Sequence, residues 1–176
     1  MPRRLPAALT AVTLCAAALT APIALAAPAS AATCSQSYLP LPDPSCQPGA
    51  TYSVVTQSTI SSTICVSGWT STVRPSSSYT TALKIKQISQ YGYSDTSTAD
   101  YEEDHLIPLE LGGNPTSALN LWPEPRYATG GYTATNKDTI ENKLKKAVCA
   151  RTITLASARS AIAKNWVTAL STVGLS

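Results

Sequence analysis

Four cysteines follow an apolar amino-terminal stretch in this chain of 176 residues, and they constrain its fold more than any other feature. A fifth, Cys15, lies inside the stretch itself. An even number of cysteines in an exported chain indicates two disulfides. Of the three possible pairings we favour Cys34–Cys46, which closes a short proline-rich loop, with Cys65–Cys149, whose long loop contributes roughly 4 kcal/mol on the chain-entropy model. A zinc site is the alternative, but no two of these cysteines have C-x2-C spacing.

The amino-terminal stretch has the pattern of a cleaved secretory signal. Arg3 and Arg4 precede an uncharged, Ala- and Leu-rich segment at 7–27, and small residues at 29–31 are typical of a cleavage site. Prolines interrupt the apolar run, which argues against the alternative of a transmembrane anchor. We therefore expect residues 1–31 to be removed near Ala31. The secreted chain, of about 145 residues, would have no stable membrane association and a length that suits one domain.

The net charge is too small to indicate a strongly basic protein that binds polyanions through its overall charge. The whole chain carries 13 Lys plus Arg and 10 Asp plus Glu, and loss of Arg3 and Arg4 lowers the expected net charge from +3 to about +1. A local basic cluster remains near the carboxyl terminus, and the ordinary alternative for such a run is the solvated face of a helix. Its members are Lys137, Lys143, Lys145, Lys146 and Arg151.

Residue patterns predict a short irregular arm followed by a folded domain. The arm, at 32–60, is rich in Pro, Ser and Thr, and a disulfide ties it together. The domain spans 61–176, and its best short strand is at 63–67.

Helical spacing of apolar residues predicts three helices in that domain. The first spans 79–90, with Lys84 and Lys86 on its outer face. The second spans 136–148, and the third begins after a Thr154 cap. The third helix carries an apolar stripe of Ala158, Ile162, Trp166 and Ala169 that we assign to the core.

The single histidine of the chain lies in an unusual sequence neighbourhood. His105 follows Asp104 and opens an apolar run that ends at Gly112 and Gly113; Asn120 comes seven residues later and precedes Leu-Trp-Pro. This order resembles the HNH nucleases, also called ββα-metal or His-Me finger enzymes, and in particular a secreted bacterial branch. The resemblance covers 101–149, about a third of the mature chain.

The resemblance implies a fold and a role for each matching residue. The fold would be a small single α+β domain with a β-hairpin and helix core, additional helices and disulfides. Asp104 would bind a divalent metal, Mg²⁺ or Mn²⁺, and His105 would be the general base. Asn120 would hold the loop and the base, while Gly112 and Gly113 let the chain turn. Because adjacent strand residues face opposite ways, we expect a local distortion or bulge that brings Asp104 and His105 to one site.

The chain departs from many members of the family, which carry a second His as a metal ligand on the helix. Here Asn136, Asp138 and Glu141 are the available oxygen donors, and we favour Asp138 or Glu141 as the ligand. Oxygen donors suit Mg²⁺ or Mn²⁺ better than Zn²⁺. The expected phosphate contacts are Arg74, Arg126, Lys137 and Lys143.

The expected function is that of a secreted, metal-dependent endonuclease, a hydrolase acting on the phosphodiester bonds of DNA, RNA or both. We expect a monomer with little sequence preference, because no zinc-finger or helix-turn-helix pattern is present. The main alternative is an inactive HNH-like module that binds nucleic acid or a cell-wall polymer. A Ser-His-Asp hydrolase lacks support because no G-x-S-x-G motif is present. A non-catalytic, disulfide-stabilised surface protein is supported only by the Ser/Thr-rich half.

Overall fold

A computed structural model describes residues 33–176, so the expected signal peptide and its cleavage site lie outside the described residues. The regular elements, in chain order, are α1 (Trp69–Val73), α2 (Ser77–Tyr91), β1 (Tyr101–His105), β2 (Leu121–Pro125), α3 (Ala134–Cys149), α4 (Leu155–Asn165) and α5 (Ala169–Thr172). Single 3₁₀ turns connect several of them, and the described residues form one small α+β domain.

The three predicted helices are present, and polar caps begin two of them. The Ser76 hydroxyl accepts the Tyr79 N–H at 3.4 Å at the start of α2, which ends at Gly92 in the left-handed conformation. The Thr154 hydroxyl accepts the Ser157 N–H at 3.1 Å at the start of α4, which confirms the predicted cap. All four residues of the predicted stripe are buried, although the helix breaks into a 3₁₀ turn at Trp166.

The predicted strand at 63–67 is wrong. This segment follows a 3₁₀ turn at Ile60–Ser62 and continues as further turns. The Cys65 and Val66 N–H groups donate to the carbonyls of Ile60 and Thr63, at 3.0 and 2.8 Å, so local turns use backbone groups that a strand would have paired elsewhere. Ile64 is nevertheless completely buried, which explains why its neighbourhood has the apolar content of a strand.

The hairpin formed by β1 and β2 is antiparallel and regular. Asp104 lies opposite Trp122, and His105 lies opposite Leu121. Pairing runs through all five positions of each strand without a bulge, so the bulge expected at Asp104 and His105 is wrong. No bulge is needed because His105 is the last residue of β1, where the chain leaves the sheet, and both Asp104 and His105 line the same cavity.

Two groups of buried side chains hold the domain together. The larger one lies among the turns before α1, the loop after β1 and helices α3 to α5, and includes Val55, Leu144 and Trp166. Val55 shows that the predicted arm packs into the same core as the rest of the domain. The smaller one, here named the aromatic cluster, packs the hairpin against α2; it consists of Tyr91, Tyr93, Tyr101 and Trp122 with Cys34 and Ile88.

The disulfides have the pairing that we favoured. Cys34–Cys46 closes the proline-rich loop beside the aromatic cluster. Cys65–Cys149 joins the turn before α1 to the last residue of α3. Two disulfides are compatible with an exported protein, since such bonds persist in oxidising compartments. Within residues 33–176, no helix has the length and apolar character needed to cross a membrane.

Lys84 was expected outside α2 but is half-buried. Its ammonium donates to the carbonyls of Thr98 and Tyr101, at 2.7 and 2.9 Å. It therefore ties α2 to the start of β1, alongside the aromatic cluster.

Candidate active site

Five of the residues predicted to be functional converge on one cavity of about 280 Å³, here named the acidic cavity. Its walls come from α1, from β1 with the loop that follows it, and from α3. Five carboxylates, one imidazole and one guanidinium line it: Glu102, Asp104, Glu110, Asp138, Glu141, His105 and Arg74. Asp104, His105, Asp138, Glu141 and Arg74 were predicted from the sequence; Glu102 and Glu110 were not.

His105 is held in one orientation by a backbone carbonyl. The side chain is only 4% exposed, and its Nε2 lies 3.0 Å from the Pro115 oxygen. Because a carbonyl only accepts, Nε2 carries the proton and Nδ1 carries the lone pair. Nδ1 makes no hydrogen bond with any residue of the described part of the chain. His105 also borders a second cavity that Arg74 shares, so the ring stands between two recesses.

Burial lowers the pKa of His105 below its usual 6.5, and the nearby Asp104 carboxylate opposes that effect. The imidazole is therefore neutral near pH 7, which is the protonation state that a general base needs.

Asn120 fastens the loop that follows β1. Its Oδ1 accepts the Ile107 N–H at 2.9 Å, and its Nδ2 donates to the Ile107 carbonyl at 3.0 Å. Nδ2 also donates to the Asn114 carbonyl at 3.2 Å. Asn120 is completely buried, so it joins the two ends of the loop without reaching the cavity. This is the loop-holding position expected of it.

The two glycines are required by close approach of neighbouring chain segments. Gly112 has φ +67°, and a Cβ there would lie 2.5 Å from Val55. A Cβ at Gly113 would lie 1.7 Å from the Ile107 carbonyl oxygen, a distance that no side chain can occupy. Both residues therefore permit the tight return of the chain towards Asn120.

Lys137 was expected to contact phosphate, but the structure buries it. The side chain is 1% exposed, and its ammonium donates to Asp104 Oδ2 at 2.5 Å, to the His105 carbonyl at 2.9 Å and to Glu141 Oε1. An ammonium has three protons, so these three acceptors satisfy it completely. Lys137 has no donor left for a substrate, and the prediction is wrong because helical position 137 faces the hairpin rather than solvent.

Lys137 and the carboxyl groups around it shift one another's pKa values. Burial alone would lower the pKa of Lys137, but the carboxylates of Asp104 and Glu141 raise it well above its usual value. Burial acts to raise the pKa of Asp104, yet Lys137 lowers it below its usual range, so this carboxyl stays ionised. Burial, and then repulsion by Asp104, raises the pKa of Glu124 to about 10, so Glu124 is protonated at neutral pH.

The helix donors separate into two groups. Asp138 and Glu141 line the acidic cavity, as the favoured ligands should. Asn136 instead lies in the first turn of α3 and caps it: its Oδ1 accepts the Thr133 N–H at 2.9 Å. Asn136 is therefore occupied as a capping residue.

The remaining expected phosphate contacts differ in position. Arg74 follows α1 directly and lines both recesses beside His105. Arg126 pairs with Glu102 at 2.9 Å at the exposed edge of the hairpin. Lys143 lies elsewhere, where its ammonium donates to the Ser176 carbonyl at 3.2 Å beside a different recess. Arg74 is thus the cation placed best for a ligand of the acidic cavity.

Besides Glu102, sequence reasoning missed three residues in or beside this site. Pro115 orients His105 through its carbonyl, and no side-chain pattern reveals such a role. Glu110 lines the cavity, and its Oε2 is buried without a hydrogen-bond partner among residues 33–176. Glu124 is 3% exposed, and its place between two prolines on β2 was the available signal, since a carboxylate in a short apolar strand is unusual.

No group of three or more His, Cys, Asp or Glu side chains within the described residues forms a preassembled metal cage. The carboxylates of the acidic cavity are instead arranged around its walls, with Lys137 between Asp104 and Glu141. Comparison of the chain with protein-family models, curated proteins and solved structures finds no match.

Proposed function

We propose that this chain is an exported, metal-dependent endonuclease of the ββα-metal type, with His105 as the general base. The observation that carries the proposal is the state of His105: it is buried, its Nε2 is fixed by the Pro115 carbonyl, and its Nδ1 is free beside an acidic cavity. A neutral imidazole with one unused lone pair suits removal of a proton from water. The succession of hairpin, fastened loop and α3 supports the same proposal.

The donor set of the cavity fits a hard divalent cation such as Mg²⁺ or Mn²⁺. Most of the side chains that line it with a possible metal-binding atom are carboxylates, and Glu110 Oε2 is a buried oxygen without a hydrogen-bond partner among the described residues. Burial, and then repulsion by Asp104, raises the pKa of Glu102 and of Asp138. Mg²⁺ keeps several of its waters and uses one or two carboxylates, so a preassembled cage is not required.

The anionic character of the cavity also supports a cation. Lys137, Arg126 and Lys145 pair with four of the five carboxylates, but the carboxylates still outnumber these cations and Arg74 together, and this balance disfavours a negative substrate. We assign Asp104 as one protein ligand, with Asp138 or Glu141 from α3 as the second. When bound, the cation would neutralise the phosphoryl oxygens and stabilise the leaving oxygen.

The chain's own residues perform the remaining tasks. His105 Nδ1 accepts the proton of the attacking water, and the Nε2–H bond to Pro115 stabilises the resulting imidazolium. Asn120 keeps the loop in register with the end of β1, so the ring holds its position. Arg74 contributes a positive charge to the lining of both recesses, where it would contact a phosphate of the substrate.

Digestion of plasmid DNA and of structured RNA by the oxidised mature chain tests the proposal. We expect cleavage with Mg²⁺ or Mn²⁺, none with EDTA, and a fall of at least about 10²-fold for His105→Ala. Lys146→Gln is the control, because Lys146 is exposed on α3 and does not line the acidic cavity. It should cleave like the native chain.

The same assay discriminates between the candidate functions. Cleavage that persists in His105→Ala would remove the assignment of the base. Absence of cleavage with every metal, together with binding of nucleic acid or cell-wall polymer that survives His105→Ala, would replace the proposal with the binding module.

A further inference from the structure

The ammonium of Lys137 is surrounded by oxygen atoms, as a bound metal ion would be. Three oxygen atoms from two separate elements surround its ammonium: Asp104 Oδ2 and the His105 carbonyl from β1, and Glu141 Oε1 from α3. The side chain is 1% exposed and completely satisfied, so it is part of the cavity wall and is closed to substrate.

This arrangement controls which carboxylate oxygens the cavity offers. One oxygen of Asp104 and one of Glu141 are committed to the ammonium, which leaves one oxygen of each carboxylate without a bond to Lys137. The fixed positive charge also lies in contact with both groups, so it opposes the approach of any further cation. The same ammonium holds the backbone of His105, and thereby the end of β1 that carries the base.

We infer that Lys137 is a positioning residue whose ammonium orients Asp104 and Glu141 and weakens the affinity of the acidic cavity for a divalent cation. The inference rests on the proposed function for its link to catalysis, but the metal affinity can be measured without any substrate. It predicts two changes of opposite direction in one variant. Loss of the positive charge should tighten cation binding, while loss of the three bonds should disorder Asp104 and the end of β1 and slow turnover.

The experiment is a titration of the full oxidised chain with Mn²⁺, followed by calorimetry, beside measurement of kcat and KM on nucleic acid. Lys137→Gln removes the charge but keeps two N–H donors, and we expect its Mn²⁺ affinity to rise about tenfold or more. Its kcat should fall at least about tenfold with little change in KM. Lys137→Arg retains the charge and should keep an affinity close to native, while Lys146→Gln serves as the control on the same helix.

If Lys137→Gln fails to fold, the same comparison can be made in a chain that already carries Glu141→Gln and therefore buries one charge fewer. The pair Glu141→Gln and Lys137→Gln/Glu141→Gln differs only in the lysine, and the double variant leaves one fewer unpaired carboxylate. We expect the double variant to bind Mn²⁺ more tightly than Glu141→Gln does.

Each result decides the inference. Tighter Mn²⁺ binding without Lys137 supports it, including the case in which only the variant binds Mn²⁺ measurably. Unchanged or weaker binding overturns it, and so does the absence of binding by every form. A raised KM with unchanged Mn²⁺ affinity would return Lys137 to the class of phosphate contacts. If Mn²⁺ binding tightens but the native chain cleaves nothing, the inference stands and the proposed function fails.

Discussion

The hairpin meets two helices in two different ways. Towards α2 it packs through the aromatic cluster, in which the rings of Tyr93 and Tyr101 lie 4.7 Å apart and those of Tyr91 and Trp122 lie 6.4 Å apart. Towards α3 it is joined by the buried ammonium of Lys137, held by Asp104 and Glu141. The same two strands therefore have an apolar contact with one helix and a charged contact with the other.

The two contacts differ in what they contribute to the protein. Burial of aromatic surface stabilises a fold roughly in proportion to its area and tolerates small shifts. A buried ion pair contributes little net stability, because the desolvation of both groups offsets most of their attraction. It does fix the positions of its partners, since each proton of an ammonium needs an acceptor. We infer that the contact with α2 stabilises the hairpin, whereas the contact with α3 positions the side chains of the acidic cavity.

The largest expected effect is on the apolar contact. Trp122 is completely buried, and its Nε1 bonds to none of the described residues, so its contribution is packing alone. Trp122→Ala should lower the free energy of unfolding by about 3–5 kcal/mol, measured by urea denaturation. Ile85→Ala on the exposed side of α2 should change it by less than about 0.5 kcal/mol. A loss below about 1 kcal/mol for Trp122→Ala would mean that the aromatic cluster is not what stabilises the contact between the hairpin and α2.

The two disulfides allow a comparison of the same kind, because each supports one contact. Cys34 lies in the aromatic cluster, whereas Cys149 ends α3. Replacing either pair by serine should cost about 2–4 kcal/mol. Their sequence separations are 12 and 84 residues, so loss of Cys65–Cys149 should cost about 1–2 kcal/mol more on the chain-entropy model.

Equal losses for the two disulfide variants, measured by urea denaturation under non-reducing conditions, would show that native contacts outweigh loop length. A further consequence concerns activity. Cys65 lies just before α1, which leads into Arg74, so its loss should also impair cleavage, while loss of Cys34–Cys46 should not.

The charged contact should separate stability from activity. Asp104→Asn removes one carboxylate but leaves Lys137 bonded to Glu141 and to the His105 carbonyl. We expect the free energy of unfolding to fall by about 1–3 kcal/mol, since one charged bond is lost. Cleavage should fall by about 10²-fold or more if Asp104 binds the cation.

Asp100→Asn is the matched control for that variant, because Asp100 is exposed and close in sequence. It should leave both the urea midpoint and the cleavage rate unchanged. Retention of native activity in Asp104→Asn would contradict the assignment of Asp104, whatever its stability.

The sequence predicted the local parts of this fold better than its tertiary contacts. The helices at α2, α3 and α4 follow from apolar spacing, and the cap at Thr154 from residue type, because both depend on nearby residues. The strand expected at 63–67 failed for the opposite reason. The N–H groups of Cys65 and Val66 donate to the nearby carbonyls of Ile60 and Thr63, so local turns use backbone groups that a strand would have paired with a distant partner.

The candidate site shows the same division. Asp104, His105 and Asn120 were identified from their order along the chain, and the structure places them around one loop. The role of Lys137 was missed, because a lysine on an amphipathic helix is usually solvated and only the packing of α3 on the hairpin reveals its partners. Pro115 was missed because it acts through its backbone.

The smallest expected effect concerns an ion pair at the exposed edge of the hairpin. Arg126 and Glu102 lie 2.9 Å apart with side chains 54% and 38% exposed, whereas Lys137 is buried. Water and salt screen exposed charges, so Arg126→Gln should lower the free energy of unfolding by less than about 1 kcal/mol. If Arg126 contacts phosphate, KM for nucleic acid should rise a few-fold with kcat unchanged, and the rise should shrink at high salt. A stability loss above about 2 kcal/mol would mean that exposure does not distinguish the two ion pairs. The buried ion pair of Lys137 and the exposed ion pair of Arg126 would then have to be treated as equivalent in this hairpin.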